Sequence, residues 1–322
     1  MKNKDQNIYC SEDIAFIIPT KDRPEKIINL LDSLVSQSIQ PGRILIVDGG
    51  KSIQSIVVGY SKIIPVEYME CSPPGQIRQK NMALRALDKR TKLVGYLDDD
   101  IVLEEGALES IIKHYNSIHR DTAAVSFNIV NTQPHKHSFI RGIMGMSSRQ
   151  QGIVLRSGFN VSVMCIEEDL YPQWVSGGAT LWRREILEKF RQQEVSSRWA
   201  SCEDLIFSYP IGKSFPLSVC ANARARHEHV YDQSPNKSHL YFGYTETIWR
   251  FYFVQSHNEM SIAMFVWMIL CTIAGRTALG ILKFEKRHLQ FALGAIIGLK
   301  NGFITVNRNK NILSILDENQ AV

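Results

Sequence analysis

The sequence contains no CxxC pair, no internal repeat and no low-complexity tract. Its six cysteines (Cys10, Cys71, Cys165, Cys202, Cys220 and Cys271) fall at irregular intervals. That spacing argues against a zinc knuckle and against a disulfide framework; reduced thiols in a cytosolic setting are expected instead. The opening residues Met1 to Asn7 are polar and lack the apolar core of a secretory signal, so export is not expected. Charge of one sign is not in large excess, and a net +5 does not point to a nucleic-acid partner. Charge-free apolar runs are short. Met260 to Gly275 stops below the ~20 residues that a membrane span requires, and Leu289 to Leu299 is shorter still.

What is present is an ordinary globular composition, 44% hydrophobic and 21% charged. The 322 residues suffice for one large domain or two modest ones. The most informative stretch is Leu93 to Leu103. An apolar run, Leu93 to Leu97, ends in Asp98-Asp99-Asp100, and an apolar run resumes at Ile101. The first run has the length and character of a buried central strand. Three adjacent carboxylates repel one another unless a cation sits among them, and a hard divalent ion is the simplest such partner. Carboxyl ends of strands in open α/β sheets are also where ligands bind. A solvated acidic turn is the plain alternative.

In chain order, Ile14 to Ile18 reads as a strand stopped by Pro19, and Pro24 opens a helix with Ile27, Ile28, Leu30, Leu31, Leu34 and Val35 at helical spacing. Pro41-Gly42 breaks the chain before a second strand, Arg43 to Val47, which ends in Asp48-Gly49-Gly50. Val66 to Glu70 reads as an edge-like strand, and a helix runs from Gln76 to Leu84. Further on come a helix over Glu104–His119, a strand over Ala123–Val130, and a helix from Arg183 to about Gln192. A late strand, Phe215 to Ala223, leads to Arg224, Arg226, His227, Glu228 and His229. Strands alternating with helices imply right-handed crossovers and a mostly parallel sheet with helices on both faces. A dinucleotide fold would need a glycine-rich turn after the first strand, and Pro19 to Arg23 has no glycine.

Between Asn131 and Val161 the periodicity fades, and His135, His137 and Arg141 sit among Gly142, Gly145 and Gly152. This reads as irregular surface or a loop over a site, with both histidines solvated and metal ligation as the alternative. Gly177-Gly178 precedes a strand, where paired glycines make a tight turn or let a ligand approach the backbone. Glu203-Asp204 stands before an apolar stretch, as a helix start or as the seat of a general base.

This order of motifs resembles the family 2 glycosyltransferases of GT-A fold, over roughly Ile14 to His229. The motifs are strands ending in Pro-Thr, in Val-Asp and in Asp-Asp-Asp, a helix with Arg-x-x-Asn, then Gly-Gly, Glu-Asp and a late histidine. The resemblance implies a bacterial inverting enzyme of the surface-polysaccharide or glycolipid type (O-antigen, lipopolysaccharide, capsule). Asp48 would contact the nucleotide base, with Pro19 and Thr20 nearby and Arg78 approaching the nucleotide or diphosphate. Asp98 and Asp100 match the DxD motif, Asp100 for direct metal contact and Asp98 or Asp99 for the ribose. Gly177 and Gly178 would line the donor-sugar and acceptor pocket. Asp204, beside Glu203, matches the catalytic base. His227 or His229 would be the third ligand to Mn²⁺ or Mg²⁺. The sequence departs from the family pattern at Gly49-Gly50 and lacks a Gln-x-x-Arg-Trp, which argues against a processive polymer synthase.

The implied partners are a nucleotide-sugar donor, UDP-linked by preference, and a lipid-linked or polysaccharide acceptor. An oligomer is compatible with the sequence. Two other readings stand beside this one, a nucleotidyltransferase and a non-catalytic subunit of an assembly complex. Residues 1–237 are read as the catalytic domain and 238–322 as a helical, membrane-associating region. Leu240 to Phe253 is an aromatic helix suited either to a membrane interface or to core packing. The short apolar runs after it carry basic flanks at Lys283, Lys286, Arg287 and Lys300. Such helices suit the inner face of the cell membrane, lying on anionic lipid; a single tilted or re-entrant span over Met260–Leu282 is the alternative.

Overall fold

The computed structural model describes residues 8–133, 136–194, 201–228, 239–308 and 311. It divides into two compact units, one of Met1–His135, Ser162–Glu194 and Phe207–Val230, the other of Lys136–Val161, Val195–Ile206 and Tyr231–Val322.

In the first unit, β1 (Ile14–Thr20) is buried along its whole length. Ile14, Phe16 and Ile18 enter one core and Ala15 and Ile17 the other. That is why this strand is apolar throughout rather than alternating. α1 (Pro24–Val35) has proline where its fixed φ suits a helix start, and it buries Ile27, Leu30, Leu31 and Leu34. β2 (Arg43–Asp48), α2 (Gln54–Tyr60), β3 (Val66–Glu70), α3 (Gln76–Ala86) and β4 (Leu93–Leu97) follow. Next come β5 (Ile101–Leu103), α4 (Ala107–Ser117) and β6 (Ala124–Ile129). After α5 (Phe139–Ile143), which belongs to the second unit, the chain continues through β7 (Ala179–Arg183), α6 (Arg184–Lys189), α7 (Glu203–Gly212), whose first residues also belong to the second unit, and β8 (Leu217–His227).

Among the described residues the strands form one eight-stranded sheet in the order β3-β2-β1-β4-β7-β6-β8-β5. β3, β2, β1 and β4 are parallel, as the strand–helix alternation implies. The other half is mixed. β7 runs antiparallel to both β4 and β6, β8 runs parallel to β6, and β5 runs antiparallel to β8. β8 also continues past the expected end at Ala223 as far as His227. The extension pairs with the apolar residues just after the aspartates, Ile101 opposite His227 and Leu103 opposite Ala225. This pairing is what carries the late histidine back to the end of β4.

The second unit holds α8 (His239–Gln255), α9 (Ile262–Leu282) and α10 (Lys286–Asn307). α8 and α10 approach closely through small residues. A Cβ at Gly294 would fall 1.9 Å from the Leu240 carbonyl oxygen, and one at Gly243 would fall 2.1 Å from that of Phe291. The aromatic residues of α8 turn inward, with Phe251 stacked on Phe265 at 5.2 Å and near Phe303 at 4.9 Å. Core packing, rather than an interfacial belt, therefore accounts for that helix. The apolar helices are longer than the charge-free runs: α9 has 21 residues and α10 has 22, each long and apolar enough to cross a membrane. α9 continues through Arg276, whose guanidinium lies 4.4 Å from the centroid of the Phe291 ring and contacts His288 at 3.0 Å.

Gly95 in β4 sits beneath Phe16, and a Cβ there would fall 2.2 Å from the Phe16 ring. Gly95→Ala is expected to destabilise the fold by about 1–3 kcal/mol through overpacking. Adding Phe16→Leu should recover part of that loss in urea unfolding. Strict additivity of the two substitutions would contradict this packing.

Candidate active site

The carboxyl end of β4 gathers the groups that the three aspartates need. Asp99 and Asp100 are buried, at 5% and 6% exposure. Thr20, the last residue of β1, donates its hydroxyl to Asp99 Oδ2 at 2.8 Å. Arg23, which precedes α1, donates to Asp99 Oδ1 at 2.9 Å and reaches Asp100 Oδ2 at 3.7 Å. His227 Nε2 lies 3.0 Å from Asp100 Oδ1. The chain turns back at this point, and Glu228 N–H donates to the Asp100 carbonyl at 2.8 Å.

Asp98 faces the Gly177-Gly178 turn. Its N–H donates to the Gly178 carbonyl at 2.8 Å, and its Oδ1 accepts from Gln76 Nε2 at 3.0 Å. A Cβ at Gly178 would fall 2.1 Å from Asp98 Oδ2, so the carboxylate needs glycine there. Lys80, fully buried in α3, holds the same turn by donating to the Gly177 carbonyl at 3.3 Å, with its ammonium 5.3 Å from the Tyr96 ring centroid.

The electrostatics follow from burial and pairing. Desolvation pushes the Asp99 carboxyl up, against the opposing pull of Arg23 and Thr20. The hydrogen bond to Asp100 raises His227 above the ordinary imidazole value, helped by the charges of Asp100 and Asp98 and opposed by burial. Oxygen donors and one imidazole, converging where positive charge is wanted, are a donor set that suits a hard divalent ion.

The structure thus brings Thr20, Asp98, Asp99, Asp100, Gly178 and His227 together, with Pro19 and Gly177 adjacent in sequence. Asp48 is committed to its own turn. It is 1% exposed, and its carboxylate accepts from Gly50 N at 2.8 Å, Ile53 N at 3.2 Å and Tyr68 Oη at 3.1 Å. Arg78 pairs with Glu194 at 3.2 Å instead of reaching the acidic rim. Glu203 and Asp204 belong to the second unit, where Asp204 Oδ1 accepts from Leu205 N at 2.8 Å. His229 and His135 lie outside the described residues. His137 is exposed and hydrogen-bonded to Ser147 at 3.2 Å, as a solvated histidine is. Arg23, Gln76 and Lys80 went unread in the sequence. For Arg23 and Gln76 the one available signal was a position a few residues after a strand end; Lys80, inside α3, carried none.

Residues 15–165 match the family model described as Glycosyl transferase family 2. No curated protein sequence matches the chain. Among solved structures, S. aureus TarS 1–349 in complex with UDP-GlcNAc superposes with a TM-score of 0.52 at 14% identity, covering 92% of each chain. The mannosyltransferase PcManGT from Pyrobaculum calidifontis, in complex with GDP-Man and Mn²⁺, gives 0.52 at 12% identity, over 92% of this chain and 90% of that one. GalNAc-T7 with UDP, GalNAc and Mn²⁺ gives 0.56 at 12% identity, over 79% and 53%. The chain spans 43% of the longer TarS structure. At these identities the likeness establishes the fold. The sheet has the GT-A fold of these structures, and the match to the family 2 model covers a little under half of the chain.

The raised His227 value has a consequence for folding in the absence of metal. The pair with Asp100 stabilises fully below the unfolded imidazole value of about 6.5 and fades as pH rises through the raised folded value. The stability deficit of His227→Gln, measured by urea unfolding, should therefore shrink as pH rises above about 6.5. A deficit that grows with pH would contradict the pairing.

Proposed function

We propose that the enzyme moves a sugar from a nucleoside-diphosphate donor, UDP-linked by preference, to a hydroxyl of a lipid-linked or polysaccharide acceptor, inverting the anomeric centre. The observation that carries this reading is the acidic rim, with His227 3.0 Å from Asp100 at the end of the central strand. Structures of the same fold that hold UDP-GlcNAc, GDP-Man and Mn²⁺ support it.

Asp98, Asp100 and His227 would hold Mn²⁺ or Mg²⁺, with His229 as the other candidate ligand. An ion bound there supplies charge neutralisation for the departing diphosphate. Thr20 and Arg23 hold the Asp99 carboxylate in place, which leaves Asp99 or Asp98 to orient the ribose. Asp48 braces the turn that would border the base, and Pro19 would lie against the same nucleotide. Arg78 would approach the diphosphate by exchanging Glu194 for it. Gly177 and Gly178 would keep the floor under the sugar free of side chains. A single displacement also needs a base opposite the leaving group to take the acceptor's proton. Asp204, next to Glu203, is assigned that role on the family resemblance.

Residues 1–237 would be the catalytic part and 238–322 the part that meets the inner face of the membrane. Large apolar side chains exposed on the second unit support this, among them Trp267, Ile281, Leu282 and Phe284. Lys283, Lys286 and Arg287 beside them suit anionic headgroups.

Asp204→Asn should keep donor affinity and lose transfer by roughly 10²–10⁴-fold. Chelation should stop turnover and added Mn²⁺ should restore it. Full activity in Asp204→Asn would remove the base assignment, and a wild-type chain that neither binds UDP-sugars nor hydrolyses them slowly would favour a non-catalytic assembly role. The full chain should float with vesicles containing anionic lipid. Leu282→Asp with Phe284→Asp, at side chains 77% and 93% exposed, should release it without loss of fold. Lipid-independent behaviour of the unaltered chain would contradict the membrane reading.

A further inference from the structure

A second cluster of ligating side chains joins α4 to β8, away from the residues assigned above. β6 and β8 stay in register from Ala124 opposite Leu217 to Phe127 opposite Cys220, and then Asn128 pairs with Arg224. Ala221, Asn222 and Ala223 therefore bulge out directly after Cys220. A bulge releases backbone groups from the ladder, and here one of them turns to a side chain. Ala221 N–H donates to Asp169 Oδ1 at 2.8 Å, while the neighbouring Cys220 thiol points to the Ser110 carbonyl, 3.8 Å away. From α4, buried His114 directs Nδ1 at Asp169 Oδ2, 3.1 Å away, and Nε2 at Ser218 Oγ, 2.8 Å away. One ligand atom from each of His114, Asp169 and Cys220 lies within 4.8 Å of the others.

We propose that this cluster is a metal site, distinct from the acidic rim, for a borderline transition-metal ion of the zinc type. Cys220 Sγ, His114 Nδ1 and Asp169 Oδ2 are its ligands. A sulfur–nitrogen–oxygen set selects zinc-like ions over Mg²⁺ or Ca²⁺. Two of the ligands are oriented from behind, the imidazole by Ser218 and the carboxylate by Ala221. That is how the outer shell of a metal site is built. Tetrahedral zinc bonds of about 2.0–2.3 Å place ligand atoms about 3.3–3.7 Å apart, so the sulfur must close by about 1 Å. Water takes the fourth position, reached past Asp169, whose side chain is 43% exposed. Binding releases the Cys220 thiol proton to solvent. The same contacts also form a serine–histidine–aspartate relay, but Ser218 is fully buried and no substrate reaches its hydroxyl. The site would instead pin α4 to β8 at the bend from which the strand runs on to His227.

The test is titration of the purified, metal-stripped full chain with Co²⁺, followed by Zn²⁺. One equivalent should give a thiolate-to-cobalt charge-transfer band that Zn²⁺ displaces. Cys220→Ser should abolish the band, Ser218→Ala should weaken binding roughly 10–100-fold, and Asp98→Asn with Asp100→Asn should leave the band unchanged. Asp169→Asn, at a half-exposed side chain that the fold can spare, should weaken binding at least about tenfold if the cysteine variant does not fold. Absence of the band in the unaltered chain, its survival in Cys220→Ser, or unchanged affinity in Asp169→Asn would overturn the proposal.

Discussion

Mutual repulsion among Asp98, Asp99 and Asp100 is the constraint around which the first unit is built. Adjacent carboxylates at a buried strand end are unfavourable unless each has a partner. The fold supplies those partners from separate elements: a hydroxyl from the end of β1, a guanidinium from the start of α1, an amide from the start of α3 and an imidazole from the end of β8. None of these is local in sequence, so folding and assembly of the site are the same event. A cation bound among the carboxylates would replace several partial compensations with one full charge, which is what a departing nucleotide requires.

Much of the first half of the sheet was legible because its strands are buried on both faces. Ile14 to Ile18, Ile44 to Val47 and Leu93 to Leu97 are continuous apolar runs, each followed directly by a proline or an aspartate. β5 escaped notice because three apolar residues after an acidic triplet look like the lead-in to a helix. The length of β8 escaped because exposed Arg224 and Arg226 flank a single buried alanine, Ala225, and lead straight to His227, a charged stretch that does not read as a strand. β7 runs antiparallel in a neighbourhood of parallel strands, and no periodicity encodes direction.

The site was legible in its carboxylates and not in its cations. An aspartate triplet at a strand end is conspicuous, whereas Arg23 looks like an ordinary turn residue until β1 and β4 are placed side by side. Lys80 is a sharper case, since a lysine amid polar helix residues gives no sign that it will be fully buried beneath a glycine turn. In the second unit, Arg276 appeared to end an apolar run. It lies within α9 because the Phe291 ring and His288 receive it. The glycines at 294, 298 and 302 were visible as letters, but their role as a seam for α8 required the partner helix.

The central claim is that the rim at the end of β4 binds a cation together with a nucleotide. Anomalous diffraction from crystals grown with Mn²⁺ and UDP tests it most directly. A manganese peak within coordination distance of Asp100, with Asp98 or His227 in its shell and the diphosphate on its open side, is the expected result. A nucleotide bound elsewhere, or manganese that bypasses these carboxylates, would contradict it.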